Sequence, residues 1–315
     1  MRNCYLGIDI GSVSTKAVVI DPQKNILFSS YLLTEGAPLT AVRELMDALR
    51  RKMEGSGCRV CAVGTTGSAR KLIGAITGAA VIKNEITAHA VGTLSMFPEA
   101  RTVFEIGGQD SKVILLDGGV VRDYAMNTLC AAGTGAFLTA QAQRLGIAVE
   151  EFGAVAATAS APASIAARCT VFAESDLVHK LQMGYRKEEV VAGLCEAVAA
   201  NYLNHVCRGK QIASPVVFQG GVSKNAGVVA ALEKRLGERV LVDPNGHLAG
   251  ALGVAILALR TGENRPFSFA LLDMEVATRV SVCQGCSNRC ERIMVYRGER
   301  LLDAWGNRCP KGKLI

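Results

Sequence analysis

One stretch of sequence that occurs twice decides the fold. LGIDIGSVSTKAVVID occupies residues 6–21, and FEIGGQDSKVILLD occupies residues 104–117. When the two are aligned on their glycines they share an acidic residue, a glycine and a lysine, which are Asp9/Glu105, Gly11/Gly107 and Lys16/Lys112. Each copy is rich in β-branched residues on both sides of a glycine and therefore predicts a strand, a tight turn and a second strand.

The surrounding pattern repeats on a larger scale. Strands are predicted over residues 4–12, 15–21 and 26–33, and again over 101–108, 111–119 and 120–127, with helices after each set. The later helices are predicted over 130–146, 174–183 and 187–207. Three strands followed by helices, occurring twice, predict a duplicated α/β fold with a cleft between its halves. We expect subdomains at residues 1–97 and 98–262, with the last helix packing back on the first, and a Cys-rich tail at 263–315.

Composition limits the class of protein. The chain has 315 residues, 50% of them apolar, and a net charge of +7 whose basic residues are scattered. This indicates a soluble globular protein with no nucleic-acid partner. No signal peptide is recognisable, and the apolar runs are shorter than the roughly 18 to 20 residues that span a bilayer. We therefore expect a cytoplasmic protein without a membrane partner, in which some of the eleven cysteines serve metal, cluster or redox chemistry.

The doubled turn is suited to a phosphate chain. Glycines let backbone N–H groups approach phosphate without a Cβ in the way, and two facing turns can grip a triphosphate from both sides. The candidate catalytic carboxylates are Asp9, Glu105 and Asp110, which can hold Mg²⁺ through waters or orient an attacking water. Lys16 and Lys112 could add positive charge, although lysines beside a strand are usually solvated.

Other phosphate motifs do not fit the sequence. It contains no G-x-x-x-x-G-K-[ST], and GTGAFL lacks the third glycine of the dinucleotide fingerprint. A third glycine turn, QGGVSKN at residues 219–225, follows a strand and opens a helix. We expect this turn to support the nucleotide base and ribose.

These motifs resemble known ones. DIGS with its following Ser-Thr-Lys, then IGGQD, then GGV, is similar to the phosphate-1, phosphate-2 and adenosine motifs of the ATPase superfamily that includes actin, hexokinase and the heat-shock chaperones. IGGQD together with NTLCAAGTGAF and ARCTVFAESD resembles the activator component of 2-hydroxyacyl-CoA dehydratases, whose family includes ATPase subunits of benzoyl-CoA reductases. The resemblance covers residues 1 to about 260 and departs at Glu105, where many members have Asp.

The resemblance implies a duplicated actin-like (ribonuclease H-like) ATPase fold that binds ATP or ADP with Mg²⁺ held by Asp9 and Asp110. It implies nucleotide contacts from the three turns and from the start of the following helix. These residues are Gly11, Ser12, Ser14, Lys16, Gly107, Gly108, Gln109, Gly133, Thr134, Gly135, Gly220, Gly221 and Asn225.

Two cysteines lie in the matching motifs. Cys130 is expected at a helix N-terminus, after Asn127 and Thr128 as potential caps, and Cys169 lies beside Arg168 just before another helix. A helix N-terminus stabilises a thiolate, although either thiol could instead be a small buried side chain. The resemblance implies a homodimer in which Cys130 and Cys169 of both subunits hold one 4Fe-4S cluster, which needs four ligands.

The remaining cysteines separate into two groups. The tail has C-x2-C-x3-C and a fourth cysteine (Cys283, Cys286, Cys290 and Cys309), a spacing that indicates zinc or a second iron–sulfur cluster. Cys58 and Cys61 have no second pair nearby, and Cys4, Cys195 and Cys207 lie on strand or helix patterns. We expect packing roles for these five.

By resemblance, the function is ATP-dependent electron transfer. Reduced ferredoxin or flavodoxin would load the dimer, and ATP hydrolysis would drive one low-potential electron into an iron–sulfur dehydratase or reductase. One alternative is a small-molecule kinase acting on a sugar or acyl substrate, on the same scaffold. The other is a regulatory or filament-forming protein switched by nucleotide, with structural zinc at the cysteines.

Overall fold

The computed structural model of the protein describes residues 2–127, 130–271 and 275–310. Thr128, expected above to act as a helix cap, lies outside the described residues, as do 272–274 and 311–315 of the tail. The chain forms two compact units, one from residues 1–88 with 250–315 and the other from 89–249. Each unit contains a five-stranded mixed sheet. The subdomain limits expected from sequence remain predictions.

The sheet of the first unit has the order β3-β2-β1-β4-β5. Its strands are β1 (Arg2–Ile10), β2 (Ser14–Ile20), β3 (Ile26–Leu33), β4 (Cys58–Gly67) and β5 (Val81–Ile82). The helices α1 (Pro38–Met53) and α2 (Arg70–Thr77) follow β3 and β4. Strand β1 runs antiparallel to β2 and parallel to β4, so the first glycine turn lies at the end of a central strand.

Helix α9 (Ala249–Arg260) packs closely against this sheet. A Cβ on Gly7 of β1 would lie 1.9 Å from the Ala251 carbonyl oxygen, and one on Gly64 of β4 would lie 2.2 Å from that of Val254. Only glycine permits these two strands to approach the helix backbone so closely. The buried positions Ala251 and Val254 therefore join the core of the first unit.

The second unit has the sheet order β10-β9-β6-β7-β8. Its strands are β6 (Thr102–Ile106), β7 (Ser111–Asp117), β8 (Val120–Asn127), β9 (Val216–Gln219) and β10 (Val240–Val242). Its helices are α4 (Gly135–Leu145), α5 (Phe152–Ala157), α6 (Thr170–Gln182), α7 (Lys187–Asn201) and α8 (Ala226–Leu236), and the boundary between units falls within α3 (Glu85–Met96). Phe104, Phe152, Tyr202 and Phe218 are fully buried at the centre of its core.

The two glycine turns have the same register, which confirms the repeat seen in the sequence. Asp9 pairs with Lys16 across β1 and β2, and Glu105 pairs with Lys112 across β6 and β7. In both turns a glycine N–H donates to the carbonyl oxygen three residues later, over 3.0 Å, from Gly11 to Ser14 and from Gly107 to Asp110.

Two helix starts differ from the sequence prediction. Helix α4 begins at Gly135, so the expectation that Cys130 opens it is wrong; residues 131–134 form a turn instead. Helix α6 begins at Thr170, four residues before its expected start, and Cys169 is its N-cap residue. The short helix α5 and strand β5 were not predicted.

The tail is more ordered than its composition indicated. It forms an antiparallel three-stranded sheet of β11 (Val276–Val282), β12 (Glu291–Arg297) and β13 (Arg300–Trp305). The approach to it is not a free linker, because the Phe267 N–H donates to the Val60 carbonyl oxygen over 3.0 Å. Val295 of β12 is fully buried in the core of the first unit.

Candidate nucleotide and cluster sites

The turn after β6 is organised around a buried lysine. The Lys112 Nζ lies 2.9 Å from Glu105 Oε2 and 2.8 Å from Asp110 Oδ2. Only 2% of the Lys112 side chain is exposed, which is the opposite of the solvated position expected from the sequence. An ammonium group between two carboxylates removes their mutual repulsion and fixes both in place.

The second oxygen of each carboxylate points to the glycine turn. A Cβ on Gly107 would lie 3.2 Å from Glu105 Oε1 and 3.1 Å from Asp110 Oδ1. Asp110 keeps 30% of its side chain exposed, whereas Glu105 is buried. Carboxylate oxygens of this kind are hard ligands. Beside a glycine turn they can hold the waters of Mg²⁺ or orient a nucleophilic water.

The equivalent turn after β1 is braced differently. Lys16 Nζ lies 3.3 Å from Asp9 Oδ2, and Asp9 is buried. The Thr34 hydroxyl donates to the Gly11 carbonyl oxygen over 2.8 Å, and it also lies 2.9 Å from the Thr15 hydroxyl. Thr34 therefore fixes the Gly11 turn from the end of β3. Ser12 and Ser14, expected to contact phosphate, lie in and just after this turn.

The third glycine turn packs against β6. Gly220 has φ +88°, and a Cβ there would lie 2.4 Å from the Ile106 carbonyl oxygen and 2.8 Å from Glu105 Oε1. Gly221 has open space around its Cα. Asn225, expected to bind nucleotide, caps α8 by accepting a hydrogen bond from the Val228 N–H over 3.1 Å.

A buried polar network precedes this turn. Gln219 ends β9 and is fully buried; its amide lies 2.8 Å from His89 Nδ1 and accepts a 2.8 Å hydrogen bond from the Thr93 hydroxyl. These partners lie on α3, far away in sequence. The network fixes the strand end from which Gly220 and Gly221 leave.

The start of α4 is hydrogen-bonded to the turn after β6. The Gly135 N–H donates to the Gly107 carbonyl oxygen over 2.8 Å, and the Ala136 N–H donates to that of Gly108 over 2.7 Å. These two N–H groups would otherwise lack partners, since the first turn of a helix has none within the helix. Thr134 is fully buried, and its hydroxyl donates to the Ala131 carbonyl oxygen. The expected phosphate turn and the start of α4 are thus joined by two backbone hydrogen bonds.

Cys130 lies in the loop that leads into α4. Its thiol is free and its residue exposed. The Asn127 side chain brackets it, accepting from the Cys130 N–H over 3.1 Å and donating to the Cys130 carbonyl oxygen over 2.8 Å. The expected helix-dipole stabilisation of this thiolate therefore does not come from α4, which begins five residues later.

Cys169 is also exposed and free. Because it is the N-cap residue of α6, its position just before a helix agrees with the sequence prediction. The second and third residues of this helix, Val171 and Phe172, are 64% and 63% exposed, which is unusual for large apolar side chains in succession.

The five cysteines for which packing roles were expected are buried or half-buried. Cys4, Cys61, Cys195 and Cys207 are buried, and Cys58 is half-buried. Burial raises the pKa of the Cys195 and Cys207 thiols to about 12, so both are neutral and unreactive at ordinary pH.

Two of the tail cysteines lie opposite each other at one end of the three-stranded sheet. The Cys283 N–H donates to the Cys290 carbonyl oxygen over 2.8 Å, which places these two residues opposite each other just beyond β11 and β12. Cys286 lies in the loop between them, and Gly306, after β13, approaches the Glu291 backbone. Within residues 2–127, 130–271 and 275–310, however, no three or more His, Cys, Asp or Glu side chains are arranged to hold a metal ion.

Several important residues escaped sequence reasoning. Thr34, His89 and Asn201 are buried polar side chains whose partners are distant in sequence. No local pattern identifies such contacts. The one available signal was a polar residue at an otherwise apolar position of a predicted strand or helix.

Comparison with known proteins agrees with this geometry. Residues 6–258 match the BadF/BadG/BcrA/BcrD ATPase family. The chain belongs to this family, so the resemblance to dehydratase activators drawn from its motifs is confirmed. The tail lies beyond the matched residues.

Individual relatives support the same assignment. The chain is 33% identical over 258 residues to the (R)-2-hydroxyglutaryl-CoA dehydratase activating ATPase of Acidaminococcus fermentans, covering 81% of this chain and 96% of the relative. It is also similar to the solved activator of the 2-hydroxyisocaproyl-CoA dehydratase from Clostridium difficile with bound ADPNP, with a TM-score of 0.76, 32% identity and coverage of 82% and 95%.

A more distant structure shows the fold alone. A ROK family glucokinase from Streptomyces griseus has a TM-score of 0.53 and 17% identity, with coverage of 82% of this chain and all of that chain. The expected fold class, a mixed α/β actin-like ATPase fold with two sheets, is thereby confirmed. Among the helices of the described ranges, none is long and apolar enough to span a membrane.

Proposed function

We propose that the protein is an ATP-dependent electron-transfer activator that works as a homodimer and reduces a partner iron–sulfur enzyme. The partner would be of the 2-hydroxyacyl-CoA dehydratase or benzoyl-CoA reductase type. The observation that carries the proposal is that two exposed, free cysteines, Cys130 and Cys169, precede two helices that are hydrogen-bonded to each other, and that the helix after Cys130 is also hydrogen-bonded to the glycine turn after β6. Membership of an ATPase family and the ADPNP-bound structure of a relative support the nucleotide part.

The geometry of each turn supports a nucleotide role for it. We assign phosphate binding to the backbone of the glycine turn at Gly11 and to that of the turn at Gly107–Gly108. Asp110, the more exposed carboxylate beside Lys112, would bind Mg²⁺ through water, and Asp9 is the candidate Mg²⁺ carboxylate of the first turn. Glu105 is held by Lys112 with one oxygen facing Gly107, a position suited to orienting the attacking water.

The cluster assignment fits the donor set. Each chain offers two exposed thiols on neighbouring segments, and a 4Fe-4S cluster needs four thiolates. An isologous dimer brings the same two residues from each chain to the two-fold axis. The exposed apolar residues Val171 and Phe172, next to Cys169, provide a surface that a second copy would cover. When bound, such a cluster accepts and releases one electron at low potential.

Electron supply and delivery complete the proposal. A reduced ferredoxin or flavodoxin would be the donor, since the transfer needs a one-electron reductant. This chain would bind ATP, orient water for its hydrolysis and hold the cysteine loops. The substrate of the partner enzyme would be bound by the partner.

Iron analysis tests the proposal directly. Protein purified without oxygen should contain roughly four irons and four sulfides per dimer. Cys130→Ala and Cys169→Ala should each lose this iron. Cys195→Ala, which removes a buried thiol, is the matched control and should retain it. All four proteins should carry Ser in place of the tail cysteines so that only one site is measured.

Absence of iron from the parent protein would contradict the proposal. The kinase alternative would then be favoured. Its assay is phosphoryl transfer from ATP to sugars or acyl acids. The switched zinc-protein alternative predicts zinc and no iron, together with a nucleotide-dependent change of association state.

We also propose a metal site at the tail cysteines, either zinc or a second cluster. The hairpin between β11 and β12 already brings Cys283 and Cys290 opposite each other, with Cys286 in the loop. Metal binding would have to draw Cys286 and Cys309 onto this pair. Metal content of Cys286→Ser, with Cys58→Ser as the control, distinguishes a tail site from unrelated thiols.

A further inference from the structure

Asn201 lies at the end of α7, beside the segments that carry Cys130 and Cys169. It is 2% exposed. Its Nδ2 donates to the Arg168 carbonyl oxygen over 2.8 Å and to that of Ala167 over 3.3 Å. These are the two residues that precede Cys169, so the Asn201 amide fixes the backbone on which that thiol is carried.

The other side of the same amide faces the loop of Cys130. A Cβ on Gly133 would lie 3.0 Å from Asn201 Oδ1, and Gly133 has φ +79°, a conformation that favours glycine. Asn201 Oδ1 is buried and accepts no hydrogen bond from the residues that the structure describes. Both Nδ2 donors point to carbonyl oxygens, which fixes the orientation of the amide.

A small cavity joins the two loops. Its volume is about 10 Å³, and its lining includes Gly133, Cys169 and Asn201. Farther along, the helices that follow the cysteines are linked, because the Gln141 Nε2 of α4 donates to Glu174 Oε1 of α6 over 2.9 Å. The segments that carry Cys130 and Cys169 thus both contact the Asn201 amide. The helices that follow them are linked a second time by the hydrogen bond between Gln141 and Glu174.

A buried amide with an unsatisfied oxygen costs free energy. An apolar side chain would avoid that cost but would leave the Ala167 and Arg168 carbonyl oxygens without their donor. The amide therefore holds the backbone before Cys169 in position, which indicates a positional role rather than a packing role.

We infer that Asn201 is a positioning residue that sets the separation of Cys130 and Cys169 for cluster ligation. The inference rests on the proposed function, since it assumes that these thiols share a cluster. Asn201 touches neither thiol in this account; it acts through the Ala167–Arg168 backbone and through Gly133.

Two substitutions of similar volume test the inference. Asn201→Leu removes both donors and the acceptor without adding charge, and Asn201→Asp keeps the shape but removes the donors. Asn84→Ala is the control, because Asn84 caps the start of α3 through a 2.9 Å bond from the Thr87 N–H, in an exposed position. Each protein is purified without oxygen, with the tail cysteines replaced by Ser.

The first readout is the rate of iron loss to a chelator. Loss of a residue that orients metal ligands typically weakens metal binding about 10- to 100-fold, so we expect the Asn201 variants to lose iron faster by a factor in this range. The second readout is amide hydrogen exchange of residues 166–170 in cluster-free protein, which should be faster in both variants. Affinity for ADP should match that of the parent protein.

The outcomes separate the two proposals. Iron-free parent protein contradicts the proposed function and, with it, the cluster role of Asn201. Iron-containing parent protein whose Asn201 variants lose iron at the parent rate overturns this inference alone. If one Asn201 variant fails to fold, the other carries the same test.

Discussion

At the scale of single residues, Lys112 is the most informative position of the site. Its counterpart in the repeat, Lys16, lies 3.3 Å from the Asp9 carboxylate and keeps 17% of its side chain exposed, whereas Lys112 lies 2.8 Å and 2.9 Å from the Asp110 and Glu105 carboxylates and is buried. The same sequence motif therefore supports two electrostatic environments. The repeated motif predicted both lysines, but their different burial depends on partners such as Tyr202, whose hydroxyl donates to the Lys112 carbonyl oxygen.

Substituting Lys112 by Met should destabilise the protein strongly. Removing one partner of a buried ion pair leaves an uncompensated charge and typically costs about 3–5 kcal/mol. Lys16→Met is the matched control and should cost less, because the Lys16 ammonium is more exposed. Denaturant unfolding of the two variants measures the difference. Equal losses of unfolding free energy in the two variants would contradict the expectation that the buried position of Lys112 makes its ion pairs more important for stability.

The buried thiol of Cys195 predicts a pH effect on stability. Burial raises its pKa to about 12, whereas an unfolded cysteine ionises near 8.5. The folded state therefore keeps a proton that the unfolded state loses, so this contribution to stability is complete below about pH 8.5 and is lost as the pH rises. Between pH 8 and pH 10 the wild type should lose up to about 2 kcal/mol more unfolding free energy than Cys195→Ala. Parallel pH profiles for the two proteins would contradict this.

At the scale of elements, the junction between the glycine turn and α4 is the main finding. The turn was predictable because its glycines and carboxylates are adjacent in sequence. The start of α4 was not, because its first N–H groups are satisfied by the Gly107 and Gly108 carbonyl oxygens, which lie about thirty residues earlier in the chain. The polar residues before Cys130 resembled a helix cap, yet Asn127 brackets the Cys130 peptide instead.

Substituting Gly135 by Ala tests this junction. A Cβ would lie 2.9 Å from the Gly107 carbonyl oxygen, so α4 must move away from the turn. We expect destabilisation of about 1–3 kcal/mol from overpacking, although alanine favours helix in isolation. Nucleotide affinity, measured by calorimetry with ADP, should also fall.

Gly237→Ala provides the control for this substitution. Gly237 ends α8 with φ +73° and has open space around it, so alanine there causes backbone strain without touching the turn. Its stability should fall while its affinity for ADP stays unchanged. Unchanged affinity in Gly135→Ala as well would show that the junction does not influence the nucleotide turn.

The tail shows a second limit of sequence reasoning at this scale. The prediction for the tail rested on its four cysteines and did not include the strands β11, β12 and β13. Residues 291–297, ERIMVYR, form a strand with three consecutive apolar residues at its centre, and Val295 is buried in the core of the first unit. The strand character becomes evident only when its packing partners are known.

At the scale of the whole molecule, the unit formed by residues 89–249 contains both candidate cluster cysteines and two of the three candidate nucleotide turns. Cys130, Cys169, the turn after β6 and the third glycine turn belong to this unit. The Gly135 and Ala136 N–H groups of α4 donate to the Gly107 and Gly108 carbonyl oxygens, which connects the glycine turn to the helix that follows Cys130. The doubled fold and its glycine turns were predictable from sequence, whereas this connection depends on contacts between distant residues.

Dimer formation through the cysteine-bearing surface is a prediction at the same scale. Val171 and Phe172 are largely exposed in the single chain and lie next to Cys169. Replacing both with Ser should weaken self-association, measured by sedimentation, and should lower iron content in proportion. Dimers of unchanged stability with unchanged iron would place the interface elsewhere.

We propose that nucleotide state acts on a cluster held by Cys130 and Cys169. The most direct measurement is the rate at which the reduced, iron-loaded protein loses iron to a chelator, compared between Mg-ADP and a non-hydrolysable Mg-ATP analogue. The account predicts clearly different rates in the two nucleotide states, and predicts that Gly135→Ala reduces the difference. Identical rates, with both nucleotides shown to be bound, would contradict it.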